Sequence, residues 1–466
     1  MNNFPRLIIA GIRGGSGKTI LSLSIIASLR YEKGLKVIPF KKGPDYIDAG
    51  WLAKVAGNPC YNLDPFFIPE EMIRYSFLSH FKGDIAIIEG NRGLYDGMDA
   101  SGSYSTAELS KLLKAPVILV IDCSKATATI AALVLGCMNL DRSVKICGVV
   151  LNQVSGKRHE TVVRDAIERH CNIPVLGAIP RIETELPERH MGLLPHQEHG
   201  DTGKIISMVR EIGERYIDIN SIIKLAQGTE PLSKALERPP LKKGEKGSVR
   251  IGVVRDSAFQ FYYPENLEEL ERFGAELIEL SALSEEQIPD IDLLYIGGGF
   301  PETHAVSLAE NKKFIHSLWD SIDKGLPVYA ECGGLMYLGR GIFINGGFYE
   351  MANIFPLTFS LEDKPQAHGY TIAEVIRDNP FYSLGLRIKG HEFHYSRPIV
   401  TGNMLDSLDY AFSMKRGAGI IEKKDGIFHK NAFATYTHVH AYGNPEWAKG
   451  MIMAAERFKN LKEEEI

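Results

Sequence analysis

A glycine-rich stretch lies between an apolar segment and a helical segment near the start of this 466-residue chain. It reads Gly11-Ile-Arg-Gly-Gly-Ser-Gly-Lys-Thr19, and it follows the apolar residues Leu7–Ala10 and precedes the helical pattern of Ile20–Tyr31. A strand, a glycine-rich turn and a helix in this order are typical of a phosphate-binding loop, in which backbone N–H groups surround phosphate oxygens. The stretch therefore predicts an α/β fold in which a buried strand leads directly into a nucleotide site.

Further apolar runs follow at intervals that fit the same fold. They are β-branched and continuous rather than alternating, as in parallel strands that are covered on both faces. They lie at Val37–Phe40, Ile85–Ile88, Val117–Ile121 and Cys147–Leu151. Helical patterns such as Glu160–His170 separate them. We predict a doubly wound α/β domain over residues 1–227.

A second α/β pattern occupies residues 249–466. Residues 228–248 are rich in Gly, Pro and charged side chains, which is typical of a linker. After them, strands are expected at Val249–Val254, Leu293–Ile296 and Val328–Ala330, with helices at Leu267–Phe273 and Lys312–Asp323. The chain is therefore predicted to contain two doubly wound domains joined by a linker.

The bulk properties point to few partners beyond small molecules. A formal net charge of -5 gives no reason to expect nucleic acid, and no apolar run is long enough for a membrane helix. The N-terminus lacks the features of a signal peptide, and no pair among the six cysteines has CxxC spacing. We expect a cytoplasmic protein that binds neither nucleic acid nor membrane. The oligomeric state stays open, with a homodimer as one option.

Five residues of the glycine-rich stretch are predicted to bind ATP. Gly14, Gly15 and Gly17 allow the backbone N–H groups to turn toward the phosphates. Lys18 adds a positive charge, and the hydroxyl of Thr19 is offered to Mg²⁺.

The spacing of the glycines departs from the standard phosphate-loop pattern. Ile12 stands where that pattern has a glycine, and Gly11 lies one residue earlier. This variant resembles the dethiobiotin-synthetase-like branch of P-loop enzymes.

Several polar residues are expected beside the same nucleotide site, because they follow strands whose carboxyl ends share one edge of the sheet. The acidic ones are Asp45, Asp48, Glu89 and Asp96. Such carboxylates repel one another beside a triphosphate, and Mg²⁺ relieves that repulsion. We predict that Mg²⁺ is held by Thr19, Asp45 and Glu89. Asn152 ends another strand and is predicted to contact the nucleotide.

A second reactive site is predicted around Cys332. The sequence Val328-Tyr-Ala-Glu-Cys332-Gly-Gly indicates a strand, a sharp turn and a helix, the layout that exposes a nucleophile. Backbone N–H groups of Gly333 and Gly298 are candidates for an oxyanion hole. The general base must come from elsewhere in the chain. His438 is the first candidate and His440 the second.

These residues resemble known families. The Cys332 turn, the glycines at 297–299 and His438 resemble a class I glutamine amidotransferase domain. Three longer motifs are similar to the cobyrinic acid a,c-diamide synthase family: Lys41–Asp48, Glu89–Gly97 and Arg255–Asn266.

The resemblance implies ATP-dependent, glutamine-hydrolysing amidation of the a and c acetates of cobyrinic acid, or of a related tetrapyrrole, through an acyl phosphate. It implies ATP, Mg²⁺ and L-glutamine as ligands, and it assigns Asp45, Asp48, Glu89 and Asp96 to ATP/Mg²⁺ binding and carboxylate activation. In this branch the acidic third triad member is typically absent. His440 accordingly stands two residues after His438.

Other functions stay open at this point. Nickel-sirohydrochlorin a,c-diamide synthases of coenzyme F430 biosynthesis are very similar, and Asn91-Arg92 departs from the more usual small or apolar pair. Cobyric acid synthase amidates other side chains of the same ring. A nucleotide-switched partitioning ATPase is more remote, because Arg13 replaces its signature lysine and the Cys332 domain has no role there. A binding module with inactive sites disagrees with the intact Lys18 and Cys332.

Overall fold

The computed structural model describes residues 3–182, 188–189, 192–198, 200–233, 249–399 and 408–464. The chain divides into two compact units, Met1–Glu237 and Arg238–Ile466. The division falls within the segment 228–248, most of which lies outside the described residues. The exact domain limits and the linker therefore stay predictions.

The first unit alternates strands and helices. Its described elements are β1 (Arg6–Gly11), α1 (Lys18–Tyr31), β2 (Val37–Lys42), α2 (Ile47–Ala56), β3 (Tyr61–Leu63), α3 (Glu70–His80), β4 (Ile85–Gly93), α4 (Thr106–Leu112), β5 (Val117–Asp122), α5 (Thr129–Leu140), β6 (Ile146–Val154), α6 (Lys157–Cys171), β7 (Val175–Pro180), β8 (Glu188–Arg189), β9 (Gly192–Leu193), α7 (Thr202–Tyr216) and α8 (Ile219–Gln227).

A parallel sheet forms the centre of this unit. Its order is β3-β2-β4-β1-β5-β6-β7, and every pairing in it is parallel. The apolar runs predicted from the sequence lie in β1, β2, β4, β5 and β6, so the doubly wound fold is confirmed. Strands β2, β3 and β4 lie on one side of β1, and the later strands β5, β6 and β7 lie on the other. A crevice opens where the strand order reverses, outside the carboxyl end of β1.

The second unit has more strands than the sequence pattern predicts. Its elements are β10 (Val249–Val254), β11 (Phe259–Phe261), α9 (Pro264–Arg272), β12 (Ala275–Leu280), β13 (Leu293–Ile296), β14 (Gly298–Gly299), α10 (Ala305–Glu310), α11 (Lys312–Asp323), β15 (Val328–Glu331), α12 (Gly333–Leu338), β16 (Gly341–Ile344), β17 (Gly347–Glu350), β18 (Thr358–Leu361), β19 (Ala367–Val375), β20 (Arg387–His394), β21 (Ser396–Ile399), β22 (Asp409–Arg416), β23 (Lys424–His429), β24 (Ala432–Thr435), β25 (His438–Val439) and α13 (Pro445–Glu464).

The large sheet of this unit has a parallel half and an antiparallel half. Its order is β12-β10-β13-β15-β24-β23-β22-β19-β20-β25. The pairings from β12 to β24 are parallel, and those from β24 to β25 are antiparallel. The predicted α/β pattern is confirmed in the parallel half. The carboxyl ends of β13, β15 and β24 are neighbours, which places three loops at one edge of the sheet.

Among the residues that the structure describes, no helix has both the length and the apolar character needed to cross a membrane.

Candidate active sites

The glycine-rich stretch curls between β1 and α1. Gly15 and Gly17 have φ values of 72° and 95°, a left-handed conformation that favours glycine. A Cβ atom at Gly17 would lie 2.3 Å from Nδ2 of Asn152, so the loop also needs glycine there for space. Asn152 Nδ2 donates a hydrogen bond of 3.0 Å to the carbonyl oxygen of Ser16. Asn152 therefore braces the loop from β6.

Lys18 is the first residue of α1 and folds back over the loop. Its Nζ lies 3.4 Å from the carbonyl oxygen of Arg13. Burial lowers the pKa of Lys18, and the neighbouring ammonium of Lys41 lowers it further. A lysine in this position and with this charge environment is suited to contact phosphate oxygens.

A buried lysine that the sequence analysis did not single out lies at the centre of the predicted carboxylate group. Nζ of Lys41 lies 2.7 Å from Oδ2 of Asp48 and 2.6 Å from Oε1 of Glu89. The Lys41 side chain is 2% exposed and that of Glu89 is 0% exposed. Burial opposes the charge on Lys41, but Asp48 and Glu89 outweigh it and raise its pKa well above the ordinary value. Asp48 in turn keeps a lowered pKa, because Lys41 outweighs the effect of burial.

The remaining predicted carboxylates lie at the edge of this group. Asp45 accepts the N–H of Asp48 at 2.9 Å, and burial together with the Asp48 charge raises the pKa of Asp45 to about 7. Asp96 accepts the N–H of Gly93 at 2.8 Å, so it holds its own loop. Its charge also acts on Lys18. The structure thus gathers the predicted carboxylates near Lys18, although Asp96 has a structural partner of its own.

Two of the residues predicted to hold Mg²⁺, Thr19 and Glu89, lie in direct contact with each other. Thr19 Oγ1 donates a 3.0 Å hydrogen bond to Oε1 of Glu89. The buried Oε2 of Glu89 has no hydrogen-bond partner among the described residues, which suits a metal ligand. No group of three or more His, Cys, Asp or Glu side chains in the described ranges is arranged to hold a metal alone. Mg²⁺ commonly binds through one or two carboxylates and the substrate phosphates, so the donor set is compatible with it.

Cys332 occupies a strained turn between β15 and α12. Its φ and ψ are 49° and -98°, outside the regions that a residue with a side chain prefers. The turn is held by a 2.8 Å hydrogen bond from the Cys332 N–H to the carbonyl oxygen of Thr435. A Cβ at Gly334 would lie 2.6 Å from the carbonyl oxygen of Ile296, so glycine lets the short helix pack against the end of β13. Strain of this kind is characteristic of a nucleophile turn.

His438 lies beside Cys332, and a carboxylate lies beside His438. Nδ1 of His438 is 3.4 Å from Oε2 of Glu331. Burial lowers the pKa of His438, but its interactions with Cys332 and with the Glu331 carboxylate outweigh burial and raise the pKa to about 10. His391 stacks on the His438 ring at 4.8 Å. The structure therefore brings the two predicted catalytic residues together.

His440 has a different environment. Its Nε2 lies 3.6 Å from Oε1 of Glu265, and both side chains are 0% exposed. The His440 ring packs against Tyr263 at 4.7 Å. The His440 contacts described above are thus with Glu265 and Tyr263. By contrast, the contacts of His438 include Cys332. This difference favours His438 as the base.

The two glycines predicted for the oxyanion hole lie on facing loops. A Cβ at Gly298 would be 2.4 Å from Cε1 of His438, and a Cβ at Gly333 would be 2.9 Å from the backbone nitrogen of Gly299. Tyr262 fixes the first loop by accepting the Gly297 N–H at 2.7 Å. Both loops therefore approach the Cys332–His438 pair closely.

Two buried side chains hold the segment that carries His438. Asn266 donates to the carbonyl oxygen of Val439 and accepts the N–H of Ala441, each at 2.7 Å. Asp425 accepts the N–H of Tyr436 at 3.0 Å. Asn266 ends the Arg255–Asn266 motif, so one function of that motif is to position the histidine segment.

Lys41 and Glu331 are the site residues that sequence reasoning missed. Each lies in a buried strand and inside a quoted motif, and a charged residue inside an apolar strand is itself a signal. Neither partner is visible from spacing, because Glu89 and His438 are far away in the chain.

Together, the fold and the two sites define a class of enzyme that joins a P-loop nucleotide-binding domain to a glutamine amidotransferase domain. Two family models match in agreement with this. Residues 7–194 match the CobQ/CobB/MinD/ParA nucleotide binding domain, and residues 250–446 match the CobB/CobQ-like glutamine amidotransferase domain.

Curated relatives cover nearly the whole chain. The cobyrinate a,c-diamide synthase of Archaeoglobus fulgidus is 40% identical over 98% of this chain and 99% of its own. The enzyme of the same name from Magnetococcus marinus is 41% identical over 95% and 96%, and that from Caldanaerobacter subterraneus is 40% identical over 97% and 98%. The chain belongs to the cobyrinate a,c-diamide synthase family, and it is a glutamine-hydrolysing ligase with an ATP-using domain.

Proposed function

We propose that this protein uses ATP and glutamine to amidate the a and c acetate carboxylates of cobyrinic acid. The observation that carries the proposal is the presence, in one chain, of a complete phosphate loop with adjacent carboxylates and a buried Cys332–His438 pair. The names of the relatives support cobyrinic acid as the substrate, because these relatives match nearly the full length of the chain.

Glutamine supplies the nitrogen in the second unit. His438 takes the thiol proton of Cys332, and the sulfur attacks the side-chain amide carbon of glutamine. The oxyanion that forms accepts hydrogen bonds from the backbone of Gly298 and Gly333. His438 returns the proton to the leaving nitrogen, which departs as ammonia and leaves a thioester. Water then attacks the thioester with proton transfer through His438, which releases glutamate and restores the thiol.

The carboxylate is activated in the first unit. An acetate oxygen attacks the γ-phosphorus of ATP, the bond to the β-phosphate oxygen breaks, and an acyl phosphate and ADP form. Ammonia attacks the acyl carbon, phosphate leaves, and a proton is lost to water. Lys18 and the backbone of Gly14–Lys18 hold the phosphates in line.

Magnesium belongs to this proposal as a bound ion of the first unit. Thr19 and Glu89 would hold it, with Asp45 close by, and it would neutralise charge on the phosphates. Lys41 contacts Asp48 and Glu89 and favours the ionised form of each; it lowers the pKa of Asp48, and it opposes the burial that raises the pKa of Glu89.

Cys332→Ser tests the division between the two units. The variant is expected to lose amidation with glutamine and to keep amidation with a high concentration of ammonium, because only ammonia release uses the thiol. Mass spectrometry of the tetrapyrrole counts the amides gained. A variant that is inactive with both nitrogen donors would show that the proposed division is wrong.

Nickel-sirohydrochlorin is the second candidate ring. Asn91, which departs from the usual residue of its motif, lies against Gly43 in the loop that carries Asp45, since a Cβ at Gly43 would be 2.8 Å from its Nδ2. The unusual residue Asn91 therefore lies next to the loop that carries a predicted carboxylate-activation residue. Parallel reactions with cobyrinic acid and nickel-sirohydrochlorin, each with ATP, Mg²⁺ and glutamine, distinguish the candidates. Failure of cobyrinic acid to gain two amides would remove it as the substrate.

A further inference from the structure

Glu331 is buried directly beside the nucleophile. It is the last residue of β15, precedes Cys332 in the chain and is 1% exposed. Its Oε1 accepts the N–H of Val439 at 3.3 Å, while Oε2 lies 3.4 Å from Nδ1 of His438. One carboxylate thus contacts both the histidine ring and the backbone of the next residue.

We propose that Glu331 is the positioning residue for His438: its carboxylate holds a proton on Nδ1 and leaves Nε2 to exchange a proton with Cys332. The inference rests on the proposed function, which makes Cys332 the nucleophile and His438 its base. It assigns to this chain an acidic third member that lies before the nucleophile, not two residues after the histidine.

The geometry of the ring supports this role. A neutral imidazole carries its proton on one nitrogen, and a hydrogen-bond acceptor at Nδ1 selects the tautomer whose Nε2 is a base. The Cε1–Nε2 edge of the His438 ring faces the glycine loop, because a Cβ at Gly298 would lie 2.4 Å from Cε1 and 3.3 Å from Nε2. Nε2 therefore lies on the side of the ring that faces the loop predicted for the oxyanion hole.

Charge supports the same role. A buried imidazolium needs a compensating negative charge, and Glu331 supplies it at the nitrogen away from the chemistry. Other titratable groups that interact with the ring include Cys332 from the turn after β15 and His391 and His394 from β20. Burial is the main reason that the pKa of His394 is lowered to about 4, so His394 adds no positive charge near neutral pH. The pKa of His391 is lowered well below its ordinary value by burial and by His438, so His391 adds no positive charge near neutral pH.

A second buried histidine–carboxylate pair offers a matched control. Glu265 lies beside His440 at 3.6 Å and is as deeply buried as Glu331. Its described ion-pair contact is with His440, whereas the described ion-pair contact of the His438 Nδ1 is with Glu331. Glu265→Gln therefore reproduces the loss of a buried charge without removing the partner of His438.

The experiment measures glutamine hydrolysis by the full-length chain as a function of pH, together with ammonium-driven amidation. Glu331→Gln keeps an acceptor for Val439 and loses the charge. We expect its kcat for hydrolysis to fall about 100-fold with little change in KM, since loss of an orienting carboxylate in a serine-protease triad costs up to about 10⁴-fold. Loss of the Glu331 charge lowers the pKa of His438, which must be unprotonated to accept the thiol proton, so the acidic limb of the pH profile should move to lower pH. Ammonium-driven amidation should remain.

The outcomes separate this inference from the proposed function. Glutamine hydrolysis by Cys332→Ser at the wild-type rate would refute the proposed function itself. Loss of hydrolysis in Cys332→Ser, with normal hydrolysis in Glu331→Gln, would refute only the role of Glu331. Equal losses in Glu331→Gln and Glu265→Gln, without a shifted pH profile, would also refute it. If Glu331→Gln also loses ammonium-driven amidation, Glu331→Asp is the variant that tests the role. Glu331→Asp retains the negative charge, so it should hydrolyse glutamine at least about 10-fold faster than Glu331→Gln, and the absence of this recovery would refute the role.

Discussion

Lys41 is a buried cation whose stability depends on two carboxylates. An ammonium without partners is expensive to bury, and a buried carboxylate without a cation is equally unfavourable. Lys41 resolves both problems, because Asp48 and Glu89 each lie within 2.7 Å of its Nζ. The same contacts set the position of Glu89, which also accepts the hydroxyl of Thr19. One lysine therefore connects the stability of the fold with the nucleotide site.

Lys41→Met is predicted to impair both stability and carboxylate activation. It leaves the buried Glu89 and the half-buried Asp48 without their cation, and breaking a buried ion pair in this way costs roughly 3 to 5 kcal/mol of unfolding free energy. Amidation with ammonium should fall about 100-fold or more, because the groups around the phosphates lose their arrangement. Glutamine hydrolysis should be retained. Thermal unfolding and the two activity assays measure these effects separately.

Lys42→Met is the matched control for this prediction. Lys42 is the adjacent residue of β2 and is also buried, with its Nζ 3.5 Å from Oδ2 of Asp64. Its loss should lower stability, while the folded protein keeps amidation. If Lys42→Met reduces amidation as strongly as Lys41→Met does, the special role of Lys41 is wrong.

The individual site residues differ in how far the sequence could predict them. Gly17, Lys18 and Cys332 lie in short motifs whose chemistry depends on local backbone geometry, so spacing is sufficient. Lys41 and Glu331 act through partners distant in sequence, 48 residues away for the Lys41–Glu89 contact. Their roles depend on which strands are neighbours, and the strand order is a property of the folded sheet.

At the level of whole elements, the parallel strands could be predicted from the sequence, whereas the antiparallel strands could not. Strands such as β1 and β5 are buried on both faces, and this produces the continuous apolar runs that predict them. In β19 and β22 buried and exposed positions are mixed, and polar side chains interrupt the pattern. Such strands are weak signals in a single sequence. The antiparallel half of the second unit was therefore missed, although β20 and β25 contribute to the His438 site.

The glycine loop around β14 provides a prediction at this scale. The backbone at Gly298 is not left-handed, so alanine can adopt it, but the Cβ of Gly298→Ala would lie 2.4 Å from the His438 ring. The ring or the loop must move, and a misplacement of about 1 Å commonly costs about 100-fold in rate. Glutamine hydrolysis should fall by that order, while ammonium-driven amidation persists.

Gly347→Ala is a suitable comparison for the loop variant. Gly347 lies in β17, and the nearest atom to a Cβ there would be 3.3 Å away, in a tyrosine side chain. We expect normal hydrolysis from it. Normal hydrolysis by Gly298→Ala as well would mean that the loop tolerates the added methyl group and does not constrain His438.

For the whole molecule, the two units carry separate cores and separate reactive groups. The apolar cluster around α1 belongs to the first unit, and the clusters on the two sides of the large mixed sheet belong to the second. Each site lies at the carboxyl ends of parallel strands in its own unit. A substitution in one site should therefore leave the chemistry of the other site intact, unless the reaction requires both at once.

Lys18→Met is the counterpart of Cys332→Ser and allows a test by mixing. Without the Lys18 charge, amidation should be lost with either nitrogen donor, while glutamine hydrolysis continues. A mixture of the two variants contains both intact sites on different molecules. Ammonia released by Lys18→Met must then pass through solution, where it is diluted and mostly protonated at neutral pH. We expect the mixture to amidate far more slowly than the wild type at the same glutamine concentration, and to improve as the pH rises. Wild-type rates in the mixture at neutral pH would show that ammonia is shared through bulk solution, and that the two reactions need not occur in one chain.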